Sequence, residues 1–368
     1  MLPSVVQYRR ALHRIPEIED RLPTTTAYVL SILGPRNCTV TTPTPGSVCA
    51  YFDAGREETV AFRADMDALP LTECADLPYA SCHPGFMHAC GHDAHTAMAL
   101  ALAEYVSEHL AEVPRNVLII FQPAEECSGG ALPICQTGIL QAHRVSRIFG
   151  MHVWPNAPAG QILSCPGSMM AQATDVTITV TGKSVHLSRA SEGLDALVAG
   201  AEFLRQAYTM MKTVPTEEAR TLQFGKMISG SARNAVSAET RMEGSLRTYS
   251  AEVLRDCRDH LLLIGETLSR QTGCHVDVHL QASHPPVHNH EGLYETVCAE
   301  LGPAAPILLN FKSLASEDFS CYQQEVPGIF FFFGIGNAPE LHAQNFNFDD
   351  ETALPLGVEF LKKLLMLK

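Results

Sequence analysis

The chain has no surplus of positive charge. Its 26 Lys and Arg stand against 40 Asp and Glu, a formal net charge of -14, and the cations form no stripe, which excludes nucleic acid as an expected partner. No uninterrupted apolar run approaches the ~20 residues that cross a bilayer. The first ten residues, Met1 to Arg10, also lack an apolar export core. The expectation is a cytoplasmic protein that meets neither membrane nor polyanion. Internal repeats, low-complexity tracts and long linkers are absent too. The twelve cysteines, without an export signal, read as reduced thiols rather than a disulfide framework. Cys38, Cys49, Cys135, Cys165, Cys257, Cys274, Cys298 and Cys321 sit singly among apolar or small neighbours and read as small hydrophobes. Cys90 differs because of its company.

What is present is a long chain rich in core material. At 368 residues, with 46% hydrophobic and 18% charged residues, two packed domains are expected. Ser4 to Leu33 carries apolar residues at helical spacing up to Pro35. Val60 to Phe62, Val117 to Phe121 and Ile148 to Phe149 read as short buried strands, and His95 to Leu110 as an amphipathic helix between the first two. Strands alternating with helices predict an α/β domain: a parallel-rich sheet with helices on both faces. From about Ala171 the rhythm changes. Val176, Ile178 and Val180 alternate with Thr177, Thr179 and Thr181, a strand with one wet face. A helix from Glu192 to about Lys212 follows, then strands Arg220 to Ile228 and Ala238 to Thr248, a helix Ala251 to Arg270 and a strand His275 to Leu280. That order is a ferredoxin-like α+β unit. The boundaries read are 1–170 and 282–368 for the first domain, interrupted by 171–281, with the strand Ile329 to Phe333 in the returning part.

The chemistry collects at the predicted strand ends. Met87 to His95 packs one thiol, three imidazoles and a carboxylate into nine residues, and Gly91 frees the backbone between Cys90 and His92. Glu125 and Glu126 follow one strand, His152 another, and His342 lies near the C-terminus. Ligand types from four segments at one sheet edge point to one or two divalent ions. His83, His88 and His95 read as supporting or exposed residues. Glu125 and Glu126, if on extended backbone, point apart, so that one can bind metal while the other serves as general base. A different chemistry is also open: Cys90 as nucleophile with His92 or His95 as its base.

Leu12 to Glu17, Arg63 to Pro70, Cys90 to His95, Pro123 to Glu126, Gly150 to Val153, and Ser316 to Phe319 followed by Val326 to Gly328 together resemble the M20 metallopeptidase and aminoacylase family. The resemblance runs the length of the chain and is strongest to the amidohydrolase branch, which includes hippurate hydrolases, indole-acetyl-amino-acid hydrolases and N-acetyl-diaminopimelate deacetylases. It implies that Cys90, His92, Glu126, His152 and His342 hold two divalent ions per subunit, zinc or manganese, with cobalt or nickel as substitutes. It implies Glu125 as general base and Asp67 as the acid supporting the ligand network. Asp65 stands where more distant relatives place a histidine ligand. In the inserted domain, a lid and dimerisation domain by this resemblance, His186 matches a histidine that steadies the oxyanion in the partner's site. Asn234 and Arg247 match polar positions near the substrate carboxylate.

Two departures fall in the inserted domain. Leu187 to Glu192 replaces a Pro-His continuation after His186, and Asn234 to Ser237 replaces Asn-Val-Ile-Pro. Both bear on substrate preference more than on metal chemistry. The function expected is metal-dependent hydrolysis of small N-acyl amino acids by a homodimer. A dipeptidase on the same centre, the Cys90-nucleophile amidase and a catalytically silent metal-binding homologue are the alternatives.

Overall fold

In the computed structural model, which describes residues 2–127, 129–213, 218–282, 284–309 and 311–368, four apolar runs become four adjacent parallel strands. Asn116–Gln122, Thr59–Asp65, Val145–Trp154 and Gly328–Gly334 lie side by side in that order, with Ala61 opposite both Leu118 and Ile148, and Phe332 opposite His152. The first, second and fourth are buried at every position, as strands covered on both faces must be, which explains why their sequences are continuously apolar rather than alternating. Antiparallel Val48–Phe52 and Thr39–Thr41 extend the sheet on one side. Ile162–Ser164 and Ile307–Leu308 extend it on the other, making eight strands.

One face of this sheet sends Phe62, Ile119, Met151, Val153, Phe331 and Phe333 into a core shared with the helices His92–Glu108 and Asp350–Leu365. The helix His92–Glu108 starts immediately after Gly91, whose φ of 83° and close approach to Val153 admit no side chain: a Cβ there would stand 2.4 Å from Val153 Cγ2. The imidazole of His92 is thereby delivered to the carboxyl edge of the strands. The single N-terminal helix expected over Ser4 to Leu33 is two, Ser4–His13 and Pro23–Leu33. Pro16 and Pro23 separate them, since a proline ring excludes helical backbone from the residue before it.

The chain divides into two compact units: Met1–Met169 with Val287–Phe311 and Asp318–Lys368, and Met170–Pro286 with Lys312–Glu317. The short return of 312–317 into the second unit departs from the sequence-based boundaries, because Ser313 and Ala315 accept the backbone N–H of Ala171. In the second unit Gln172–Thr181 lies between His275–Ala282 and Glu239–Thr248, with Thr221–Ser229 outermost, all antiparallel. Val176, Ile178, Val180, Met242 and Leu246 pack beneath Phe203 and Ala207 of Ala196–Thr213 and Leu261 and Leu268 of Ala251–Thr272. The helix expected to begin at Glu192 begins at Ala196, after a separate 3-10 turn over Leu187–Glu192.

Candidate metal centre

Five of the residues singled out by sequence converge in the first unit. The Cys90 Sγ is 3.4 Å from His152 Nε2 and 3.3 Å from His342 Nε2, and His342 Nε2 is 3.2 Å from Glu126 Oε1. Donor atoms of Cys90, His92 and His152 lie within 4.8 Å of one another, as do those of Cys90, Glu126 and His342. Cys90 is common to both sets. His92, Glu125 and Glu126 form a third such group.

The ring orientations are set by backbone carbonyls. His92 Nδ1 donates to the Asp67 carbonyl at 2.8 Å, and His152 Nδ1 to that of Val153 at 2.7 Å, so each ring presents the lone pair of Nε2. His92 Nε2 is buried with no hydrogen-bond partner among the described residues, and Glu126 Oε1, also buried, has only the His342 imidazole at 3.2 Å. A buried lone pair left unmatched is costly in a folded chain. These two acceptors, facing a thiol and two further imidazoles, fit a divalent cation, and the mixed S, N and O donors suit a borderline ion. Burial holds the His152 imidazole at about 3, keeping it neutral as a ligand must be. Burial opposes ionisation of Glu126, but the hydrogen bond from His342 outweighs it and holds the carboxyl at about 2.

Glu125 and Glu126 are not on extended backbone as the sequence reading assumed. They sit in a turn. Ala124 adopts a φ of 60°, and Asp67 accepts the Glu125 N–H at Oδ1 and the Glu126 N–H at Oδ2, each at 3.0 Å. That carboxylate folds the chain back, so both glutamates face the same cluster. His342 also has left-handed backbone, φ 66°, and its N–H is tied to the Ala89 carbonyl at 2.8 Å. Strained backbone of this kind persists only where the surroundings over-determine it.

His95 is committed elsewhere. Its Nε2 accepts the Val153 N–H at 2.9 Å and its Nδ1 donates to Asp65 Oδ1 at 2.6 Å, so neither nitrogen is available for a metal. Asp65 also pairs with Arg63, which reaches Asp318 at 2.8 Å. Asp65 is fully buried and serves as a partner for His95 and Arg63.

The remaining three residues lie in the second unit. His186 is exposed and its Nδ1 pairs with Ser188 Oγ at 2.9 Å, capping the turn Leu187–Glu192. Its backbone bridges to Ala235, and the Asn234 carbonyl accepts the Leu187 N–H. Arg247 bonds Ser316 Oγ at 3.0 Å and Ser245 Oγ at 3.1 Å. Asn234 precedes the strand Glu239–Thr248 and Arg247 nearly ends it. At ~3.3 Å per residue the eight steps from Glu239 to Arg247 span roughly 26 Å, so the structure does not bring Asn234 and Arg247 of one chain together.

With this geometry in place, the comparison with known proteins is direct: the model of peptidase family M20/M25/M40 matches residues 61–367. The chain belongs to that family. As an M20 enzyme it hydrolyses amide bonds. It is 31% identical over 375 residues to the N-acetyldiaminopimelate deacetylase of Lactobacillus helveticus, spanning 99% of this chain and 97% of that one. It is 32% identical over 372 residues to the protein of the same name from Streptococcus uberis, spanning 98% of each. The crystal structure of the Bacillus subtilis YXEP protein, described as a dinuclear metal binding peptidase of the M20 family, matches with a TM-score of 0.86 at 28% identity, over 98% of this chain and 96% of that one.

The parts of this M20 site that sequence reasoning missed are the fixing interactions. The double grip of Asp67 on the Glu125–Glu126 turn leaves no periodic signal. Neither does the His95 link between the helix and the strand ending at Trp154. The available hints were the resemblance, which casts Asp67 as the acid supporting the ligand network, and the reading of His95 as a supporting residue.

Proposed function

We infer that the chain hydrolyses the amide of small N-acyl amino acids, releasing a carboxylic acid and a free amine, on a centre of two divalent ions. The observation that carries this reading is the pair of donor sets sharing Cys90, with Glu125 and Glu126 alongside. Its relatives named for deacetylation of N-acetyldiaminopimelate act, by that name, on an amide of this class. Bound divalent ions would polarise the amide carbonyl and acidify the attacking water. Cys90, His92, Glu126, His152 and His342 would hold them, with zinc or manganese best suited to the donors and cobalt or nickel as substitutes. Glu125 takes the proton from the attacking water and delivers it to the leaving nitrogen. Asp67 keeps that turn in register through its two backbone hydrogen bonds.

The inserted unit, read as a lid and dimerisation domain, supplies His186 to the oxyanion and Arg247 and Asn234 to the substrate carboxylate. The span between Asn234 and Arg247 supports a homodimer: residues so far apart in one chain serve one substrate when His186 and Asn234 come from the partner. Arg247 offers a planar bidentate fork for the carboxylate. Cys90 suits a ligand better than a free nucleophile, because its buried sulfur stands between His152 and His342 and belongs to both donor sets rather than facing a single base.

The test is amine release from the metal-reconstituted protein offered acetyl, benzoyl and longer-acyl amino acids beside simple dipeptides. Acyl amino acids are cleaved, prolonged chelation abolishes the reaction and divalent metal restores it. Cleavage of dipeptides alone would make it a dipeptidase. Full turnover in demonstrably metal-free protein would return the chemistry to Cys90, and no turnover at all would leave a binding homologue.

A further inference from the structure

An exposed imidazole offers either ring nitrogen to whatever approaches, unless something holds one of them. In His186 one is held. The turn Leu187–Glu192 starts on His186 itself, whose carbonyl accepts the Arg189 N–H at 2.8 Å. The first N–H groups of such a turn have no partner within it. That of Leu187 goes to the Asn234 carbonyl at 3.2 Å, and that of Ser188 to His186 Nδ1, also at 3.2 Å. A backbone N–H can only donate, so Nδ1 is the acceptor and keeps its lone pair. The Ser188 hydroxyl, 2.9 Å from the same atom, donates to it as well. The ring proton therefore sits on Nε2, the nitrogen with no partner among the described residues. The backbone beneath the ring is fixed too: His186 is bridged to Ala235, and the Val236 N–H donates to the Val185 carbonyl at 2.8 Å.

We propose that Ser188 is a positioning residue that holds the His186 ring in its Nε2–H form, so that a pre-oriented N–H donor, rather than a freely turning imidazole, meets the oxyanion. The inference rests on the reading of His186 as the oxyanion's partner, and adds to it the atom that donates and the residue that aims it. Ser188 belongs to the stretch Leu187–Glu192 that departs from the Pro-His pattern, so the arrangement is part of what sets this chain apart. An oxyanion is stabilised by donors already in place when its charge develops. A ring that must first turn or exchange tautomers gives part of that up. Ser188 acts through the ring and needs no contact with the substrate.

The tautomer is read by heteronuclear NMR of zinc-reconstituted protein carrying isotope-labelled histidine, without any turnover. The His186 signals, identified by their loss in His186→Gln, show the proton on Nε2 alone. Ser188→Ala keeps the backbone N–H but admits the Nδ1–H form as a second population, and Ser188→Thr, which retains a hydroxyl, restores a single form. In turnover Ser188→Ala lowers kcat by about fivefold, the scale of one hydrogen bond, with KM and metal content unchanged, and Ser188→Thr recovers it. The glutamine amide of His186→Gln carries its own donor and has no Nδ1 to hold, so adding Ser188→Ala to that variant costs nothing further. A proton on Nδ1 in the wild type, or an equal loss from Ser188→Ala with and without the His186 ring, overturns the proposal and leaves the hydrolase reading in place. Undiminished turnover in His186→Ala overturns the oxyanion reading, and with it the purpose assigned to Ser188, whatever the tautomer.

Discussion

Glu125 and Glu126 are adjacent, share one turn and have distinct expected roles. Glu126 Oε1 lies 3.2 Å from His342 and 3.9 Å from His92, the placement of a ligand. Glu125→Gln should keep its metal and lose at least ~10²-fold in turnover, the lower range of general-base contributions. Glu126→Gln should lose metal as well. Elemental analysis beside kinetics separates the two, and equal metal loss in both variants would reverse the assignment. At this scale the sequence was informative about which residue types congregate, because Cys90, His92, Glu126, His152 and His342 are chemically conspicuous ligand types. It was silent on their orientation. The Ala124 backbone and the Asp67 carboxylate decide where the two glutamates point, and neither follows from residue type.

Two elements carry most of the positional constraint. The helix His92–Glu108 begins at Gly91, where an alanine would meet left-handed backbone at roughly 1–2 kcal/mol in addition to the Val153 methyl at 2.4 Å. Gly91→Ala should lower both thermal stability and metal affinity, read by melting and by metal titration. An unchanged metal affinity in a folded variant would show that the helix start is not what places His92. The helix Ser4–His13 is pinned to the same region: buried Arg9 and His13 both reach Asp93, and His13 also reaches Glu73 at 3.1 Å. Burial works against the His13 cation, but the hydrogen bonds to Asp93 and Glu73 outweigh it, so its titration is raised above 6.5. Glu73 moves the other way: burial raises it, His13 and the Ser81 N–H lower it, and the net shift is downward from 4.5. The contribution of His13 is whole below 6.5 and lost as pH rises through its folded value; that of Glu73 is whole above 4.5 and lost on acidification. Melting temperature should therefore fall from pH 6 toward alkaline pH, and His13→Gln should flatten that limb. An equally steep limb in the variant would assign it to other groups. The long buried strands were legible as apolar runs. Edge pieces such as Thr39–Thr41 and Ile307–Leu308 were not, because two or three residues carry no period and form only against a neighbour.

Over the whole molecule, the expected homodimer makes a sharp demand. Mixing a His186→Ala chain with a Glu125→Gln chain should recover activity that neither has alone, since one composite site per mixed dimer is intact. No recovery after verified subunit exchange would place His186 in its own chain's service or in a structural role. The alternation of helix and strand made the parallel-sheet plan of the first unit readable from sequence, and the change to period-two patterning after Ala171 marked the second unit. The return of 312–317 was unreadable because its placement depends on backbone bonds to Ala171 rather than on composition. The first unit is assembled from three separate stretches of chain, and this has a consequence for biosynthesis. The strand Val145–Trp154 cannot acquire its neighbour Gly328–Gly334, nor the cluster its His342, until the whole second unit has been synthesised ahead of them. During that interval Phe149, Met151 and Val153 lack part of their final cover, whereas the second unit needs little beyond its own contiguous segment. The nascent protein thus passes through a stage in which the second unit can mature while the first is unfinished, and that stage is where chaperone dependence and mispairing of the waiting strand should concentrate.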